Sequence, residues 1–490
     1  INGGDINPDV DGYRIAGGES QKGKANENTV TITGGVINNN VYGGYGSMEA
    51  NDNIVDITGG DFGSASLIYG GYTGKGFANN NQIVLTNTEI KKKISGGWTD
   101  DGAANENFIK LDKVYGSCSV LAGVSTNADA VGNTLEIILG DKDLDLKGPK
   151  ALDSYGGNSL NGDAVGNEII ISAEGNGKLT GRFYGGASEG TESDAIENRI
   201  IVNSGVVEGV TMYAGYAVEK SGDATKNELI IKGGNVTSNT AKDYAIVAGK
   251  SYHKKANENI LTLEGGTVAG HFYGGYGYTE ANNNTVNISG EVDVANANVY
   301  GGYAKNSSEF TGNTLNIGDG WSDKIQSVQN FNTVNFGKDS SVTTNVTLGT
   351  GATINLANGD DYTGENYAIN GKLTTLENDN ATLTIGNIKA NTYNIASEYA
   401  GTKNWVLEND LMQVQKDENG SEIGWNFDGQ LQVTVEAKSA SVIADNLGVS
   451  DSTGSLVAGI VSNASEAEKG SAGEAAANFI NNVMNNAPDK

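Results

Sequence analysis

The chain has 490 residues, a formal net charge of −28 and a single cysteine. An acidic surface disfavours nucleic acids and anionic membranes, because both bind through basic patches. One cysteine excludes an internal disulfide. No run of 18 apolar residues occurs, so we expect no membrane insertion by this segment.

A short phrase recurs every 25 to 34 residues: asparagine, with apolar residues two and four positions later. Such alternation is typical of a short strand, and a period in this range indicates a repeat architecture. The asparagines are Asn28, Asn53, Asn81, Asn107, Asn133, Asn167, Asn198, Asn227, Asn259, Asn284 and Asn313.

Each repeat also carries an aromatic-Gly-Gly element or a degenerate copy of it, such as Ser95-Gly-Gly or Tyr213-Ala-Gly. Glycine suits a tight corner where a side chain would collide with the next coil. The clear copies begin at Tyr42, Tyr69, Tyr155, Tyr184, Tyr273 and Tyr300.

A single repeat of short strands cannot bury its apolar face alone, so we expect the repeats to stack. Val30 would lie over Val55, and Ile32 over Ile57, about 4.8 Å apart. The asparagines would form a hydrogen-bonded column at the turn, where asparagine also tolerates a left-handed backbone. The predicted fold is an all-β, right-handed parallel β-helix, because parallel crossovers are strongly right-handed.

The predicted organisation follows the change in rhythm along the chain. The tail contains a capping-box spacing at Ser471 and Glu474, which begins the predicted short helix. The predicted segments are an N-terminal cap or partial coil at 1–27, about eleven regular coils at 28–317, tighter coils at 318–400, an antiparallel cap at 401–437 and an Ala/Asn-rich linker with a short helix at 438–490.

The aromatic residues that follow the glycine pairs are the main candidates for partner binding. If they face outward they form a stripe suited to stacking on sugars or on a partner protein, and if they face inward they belong to the core. One interpretation places the tyrosines that precede the glycine pairs on the opposite face. The candidates are Tyr45, Tyr72, Trp98, Tyr276 and Tyr303.

Asp141, Asp143 and Asp145 resemble the start of a calcium-binding loop. The segment lacks the glycine at the sixth position and the glutamate at the twelfth that such loops require. A solvated acidic loop is the alternative, so calcium is a weak candidate and no other metal site is predicted.

No set of residues predicts catalysis. Gly186-Ala-Ser188-Glu-Gly190 matches a nucleophile-elbow pattern without its strand-turn-helix context. The pairs Asp100-Asp101 and Asp360-Asp361 are adjacent on the chain, and neighbours on a strand point to opposite faces. His253 and His271 have no second ligand at metal spacing. We therefore predict a protein that is not an enzyme and needs no cofactor.

The order of these features resembles the passenger of a bacterial type V autotransporter: an array of Asn-led and Tyr-Gly-Gly coils, tighter coils, an aromatic meander and an Ala/Asn-rich tail. The resemblance implies an extracellular protein on the bacterial surface that acts as an adhesin or associates with itself. Its partner would be a host or bacterial surface protein or glycan, or its own copies. A polysaccharide-acting enzyme and a filament or surface-layer subunit are the alternatives.

Overall fold

The computed structural model describes residues 1–2, 5–6, 14–62, 67–146, 153–218, 222–239 and 246–463. Over these residues the chain is mostly parallel β-sheet wound into a solenoid of about 14 turns, which confirms the predicted fold class. It divides into unit 1 (Ile1–Val286 and Glu291–Ser308) and unit 2 (Asn287–Gly290 and Glu309–Lys490). The helix predicted from Ser471 lies outside the described residues.

The Asn-led phrases form one parallel ladder in unit 1. Val30 pairs with Val55 and Ile32 with Ile57, as predicted, and all four side chains are buried. Burying each such side chain stabilises the fold by ~1.5–3 kcal/mol. The strands are Thr29–Ile32, Ile54–Thr58, Gln82–Thr86, Phe108–Asp112, Thr134–Leu139, Glu168–Ala173, Arg199–Val202, Glu228–Ile231, Ile260–Leu263 and Thr285–Ile288.

The Tyr-Gly-Gly elements form a second long ladder, and short strands between the two ladders complete each turn. The Tyr-Gly-Gly strands are Arg14–Ser20, Asn40–Gly46, Ile68–Thr73, Lys93–Thr99, Ser119–Ser125, Ser154–Ser159, Lys178–Ser188, Val206–Ala217, Ile246–Ser251, Thr267–Gly277 and Asp293–Ala304. The short strands are Asp5–Ile6, Val36–Ile37, Asp61–Phe62, Glu89–Ile90, Tyr115–Ser117, Leu144–Leu146 and Asn235–Ser238, with a separate small sheet of Ala130–Val131, Ala164–Val165, Ala195–Ile196 and Ala224–Thr225.

The predicted asparagine column is present, and we call its ten unit 1 members, from Asn28 to Asn284, the asparagine ladder. Each side-chain amide donates to the Oδ1 of the next member at 2.9–3.1 Å. The same Oδ1 accepts the backbone N–H of the preceding member at 3.0–3.1 Å. Nine of the ten are almost completely buried, so these bonds satisfy groups that water cannot reach.

The left-handed backbone that we predicted at the asparagines falls one residue earlier. Glu106 has φ of 55° and Glu197 has φ of 56°, immediately before Asn107 and Asn198. Only two of the ten preceding residues are glycine, at Gly132 and Gly166. Eight of the ten turns therefore accept a strained residue before an asparagine that points inward to its hydrogen-bond partners.

The two glycines of each pair have different roles. A Cβ on the second glycine, as at Gly186, would overlap the carboxamide of the ladder asparagine, here Asn198. The second position is glycine in every turn from Gly44 to Gly302. The first position lies in register with alanine in some turns, as Gly185 does with Ala214. The ladder carboxamide thus faces the second glycine, whereas a Cβ on the first glycine would meet the backbone of the next turn, as Gly185 would meet Ala214 O.

Unit 2 continues the parallel pattern with shorter turns. The strand Trp405–Glu408 still pairs in parallel with Ala381–Ile385, within the segment assigned from the sequence to the cap. The parallel strands are Thr314–Ile317, Ser322–Lys324, Ser327–Phe336, Ser341–Thr343, Val346–Leu356, Ile369–Thr374, Ala381–Ile385, Thr392–Ala400 and Trp405–Glu408, and Gly359–Tyr362 is a 3₁₀ helix.

The antiparallel cap is formed by Met412–Val414, Trp425–Asn426 and Leu431–Ala437. Leu431–Ala437 pairs with both other strands and with the solenoid strand Thr392–Ala400. Two helices follow, α1 (Ala440–Leu447) and α2 (Asp451–Asn463). In the part of the chain that the structure describes, no helix has both the length and the apolar character needed to span a membrane.

Candidate functional site

The Tyr-Gly-Gly strands of unit 1 carry two parallel columns of aromatic side chains. The inner column precedes the glycine pair and contains Tyr42, Tyr69, Tyr155, Tyr184, Tyr213, Tyr273 and Tyr300. The outer column follows the pair and contains Tyr45, Tyr72, Trp98, Tyr216, Tyr276 and Tyr303. All five sequence candidates thus lie in one column.

The interpretation that placed the two sets of tyrosines on opposite faces is wrong. Tyr42 and Tyr45 meet edge to face with ring centroids 5.3 Å apart, as do Tyr69 and Tyr72 at 5.4 Å. Residues three apart on a regular strand point to opposite faces, so the alternation is broken at the glycine pair, where the strand pairing skips the first glycine.

Rings of neighbouring turns stack within each column. The centroids of Tyr42 and Tyr69 are 5.0 Å apart, and those of Tyr45 and Tyr72 are 5.2 Å apart, both with planes 7° from parallel. Offset stacking of this kind adds ~0.5–1.5 kcal/mol per pair beyond burial. The columns are therefore rigid arrays whose spacing is set by the β-ladder.

Most rings of the inner column are buried, whereas the rings of the outer column are partly exposed. Tyr42 and Tyr69 are less than a tenth exposed, while Tyr45 and Tyr72 are partly exposed and Tyr303 is 38% exposed. Burial raises the pKa of Tyr42, Tyr69 and Tyr72, so these phenols stay neutral at physiological pH. The surface thus offers neutral rings and hydroxyl groups.

Basic side chains rest on the rings of the outer column. The Arg14 guanidinium lies 3.7 Å from the Tyr45 centroid, and Lys93 Nζ lies 3.4 Å from the Trp98 centroid. Burial lowers the pKa of Lys93 to about 8, while the ring face attracts its charged form. These cations cover part of the outer column and hold its rings in place.

Tyr216 was not among the residues predicted from the sequence. It follows Tyr213-Ala-Gly, a degenerate copy of the element, at the same spacing as Tyr45 from Tyr42. In the structure it pairs with Lys250, whose buried ammonium donates to the Tyr213 hydroxyl at 2.9 Å. Reading the degenerate copies by spacing would have identified Tyr216.

The three aspartates of the weak calcium candidate bond to protein groups of the next turn. Asp141 Oδ1 accepts the backbone N–H of Asn176, and Asp143 Oδ1 that of Lys178. Asp145 Oδ1 accepts the Thr180 hydroxyl. Among the described residues, no group of three acidic, histidine or cysteine side chains is arranged to hold a metal ion.

The serine of the nucleophile-elbow pattern and the two histidines lie apart from one another. Ser188 is fully buried and its hydroxyl donates to the carbonyl oxygen of Gly162. His253 lies beside Tyr252, and His271 stacks on Tyr300 with centroids 6.1 Å apart. Ser188 and His271 thus have contacts within the structure, whereas His253 is exposed to solvent.

The aspartate pairs of the sequence also have distinct partners. Asp100 accepts from the Trp98 indole at 3.4 Å, and Asp101 accepts from a neighbouring asparagine amide. Asp360 and Asp361 lie in unit 2, where Asp360 accepts from Lys389 and Asp361 from Asn358. The two members of each pair thus bond to different groups.

Cys118 is completely buried, and burial raises the pKa of its thiol to about 12, with a further contribution from the nearby Asp145 carboxylate. Only the thiolate reacts, so we expect no modification of the native protein by Ellman's reagent at pH 8. One thiol per chain should react in guanidinium chloride. Labelling of the native protein at the rate of a free thiol would contradict this prediction.

No protein-family model matches the chain, and no curated protein or solved structure matches it significantly.

Proposed function

We propose that this protein is a non-enzymatic adhesin on the bacterial surface, of the autotransporter passenger kind, and that unit 1 binds glycans along its outer aromatic column. One observation carries the proposal: partly exposed rings lie in register on one face of consecutive turns, as Tyr45, Tyr72 and Trp98 do. Because neighbouring rings stack on each other, as Tyr45 and Tyr72 do, the rigid row presents ring edges and hydroxyl groups to a partner at little entropic cost.

The spacing and charge of the column support a sugar chain as the partner. Neighbouring rings lie about 5 Å apart, so several rings contact one extended ligand and add their weak affinities. The net charge of −28 disfavours acidic glycans and favours neutral ones. Phenol hydroxyls supply hydrogen bonds at the ring edges.

The proposal is tested by a screen of immobilised neutral and acidic glycans with the whole chain. A variant with Tyr45→Ala, Tyr72→Ala and Trp98→Ala should bind the best neutral glycan at least tenfold more weakly. Phe77→Ala is the matched control, because Phe77 is 50% exposed and lies outside the columns. Unchanged binding by the triple variant would refute the proposal.

Self-association and assembly into filaments are the competing functions that the outer aromatic column could serve. Sedimentation velocity at increasing concentration separates them from adhesion. A chain that stays monomeric and binds glycan supports the adhesin, whereas assembly that the triple variant abolishes would replace glycan by a second copy as the partner of the column.

A further inference from the structure

Unit 2 contains a groove of about 710 Å³ that the functions considered above do not use. Three consecutive turns form it. Ser322 and Ser341 pair in register at its base, with their hydroxyls 2.6 Å apart. The third turn carries a long segment, 357–368, which includes the 3₁₀ helix Gly359–Tyr362 and forms one wall.

The wall of the groove is held by hydrogen bonds. Asp361 accepts the backbone N–H of Asp339 at 2.6 Å and the Asn358 amide at 2.7 Å. The hydroxyl of Tyr362, which is 1% exposed, donates to the carbonyl oxygen of Ser340 at 2.9 Å. The groove is therefore formed before any ligand arrives, which lowers the entropic cost of binding.

The rim offers polar groups that the protein does not use. Glu365, Asn366 and Asn370 are exposed, and their side chains make no hydrogen bond to the described part of the chain. Beside them the partly exposed ring of Tyr367 is fixed by its hydroxyl, which donates to Gln430 Oε1 at 2.9 Å. Two free amides and a carboxylate next to a fixed aromatic ring can both stack on a ligand and hydrogen-bond its hydroxyl groups.

The residues that line the groove narrow the chemical class of its ligand. None of the thirteen lining residues has an aliphatic side chain, so the groove offers no pocket for an apolar peptide side chain. Four carboxyl groups line it against the single ammonium of Lys338, which repels anions. Its volume lies within the ~300–1,000 Å³ typical of sites for small ligands. We propose that this groove binds a sugar chain that carries no acidic groups.

Two carboxyl groups of the groove are held by bonds within the protein. Asp361 Oδ2 accepts the backbone N–H of Asp339 at 2.6 Å. Burial raises the pKa of Asp361, and the adjacent Asp339 carboxyl raises it further. Asp360 is tied to Lys389 at 3.0 Å.

The test is calorimetric titration of the whole chain with sugar hexamers of four kinds: glucose, N-acetylglucosamine, glucosamine and galacturonate. We expect at least one of the first three hexamers to bind and the galacturonate hexamer to give no heat of binding. Asn366→Ala combined with Asn370→Ala should weaken binding at least tenfold. The matched control combines Asn378→Ala with Asn380→Ala, both exposed asparagines of unit 2 outside the groove.

Three results would overturn the inference: no hexamer binds at millimolar concentration, galacturonate binds as well as the others, or calcium binds where every hexamer fails. The inference does not rest on the aromatic columns of unit 1. The triple variant Tyr45→Ala, Tyr72→Ala, Trp98→Ala should keep the groove affinity, and loss of all hexamer binding in that variant would assign the ligand to the columns instead.

Discussion

Replacing Gly186 by alanine should destabilise unit 1 by about 3 kcal/mol or more, whereas the same change at Gly209 should cost about 1 kcal/mol. A Cβ at Gly186 would overlap the carboxamide of Asn198. That carboxamide accepts from both nitrogens of Asn167 and donates to Asn227 Oδ1 and to Ala164 O. Displacing the carboxamide leaves several buried polar groups without hydrogen-bond partners. Each such group costs ~1–3 kcal/mol of stability.

Gly209 is the control because its φ is +61° and a Cβ there would meet no atom within 4 Å. Alanine at Gly209 therefore adds backbone strain without touching the asparagine ladder. Hydrogen-exchange mass spectrometry on peptides containing Asn198 gives the local opening free energy of both variants. Equal destabilisation by the two substitutions would show that overlap with the ladder carboxamide adds nothing to the cost of a side chain.

Alkaline pH should unfold the protein steeply, beginning just above pH 10. Burial raises the pKa of several tyrosines above the value of about 10 that an unfolded chain has, most strongly at Tyr69, Tyr155, Tyr184 and Tyr393. A folded-state pKa above the unfolded one means that the unfolded chain releases protons first. The stability that these phenols contribute is complete below pH 10 and is lost as the pH rises toward their folded pKa values.

Each buried phenol should remove ~1.4 kcal/mol of stability per pH unit in that window. Absorbance at 295 nm counts ionised tyrosines among the 21 in the chain, and circular dichroism follows the β-structure. We expect the buried tyrosines to ionise together with loss of structure. In urea all should titrate near pH 10, which serves as the control. Reversible titration of all 21 near pH 10 with intact β-structure would contradict the prediction.

The ladders could be predicted from the sequence because they depend on local spacing that repeats. Val30 and Val55 each lie two residues after a ladder asparagine, so stacking equivalent residues of successive turns predicts that the two pair. The shared face of Tyr42 and Tyr45 could not be predicted from strand alternation, because the alternation is broken at the glycine pair. Tyr216 was overlooked because alanine replaces the first glycine of its element.

The groove of unit 2 was not predicted because it depends on tertiary structure. Asp339 and Asp361 belong to different turns, and nothing in their spacing indicates that they adjoin. Ser322 and Ser341 meet only through the register of two short strands. An adjacent pair such as Asp360-Asp361 is easily seen in a sequence. The residue that bonds to Asp361 in the groove, Asp339, lies in the neighbouring turn.

The asparagine ladder gives unit 1 a polarity. Every amide nitrogen points toward the next turn and every oxygen toward the previous one, so the row of amide dipoles runs in a single sense from Asn28 to Asn284. The two ends of the row therefore differ chemically. A further coil placed before Asn28 would have to supply a donor, so any growth of the stack in that direction is head-to-tail and never head-to-head.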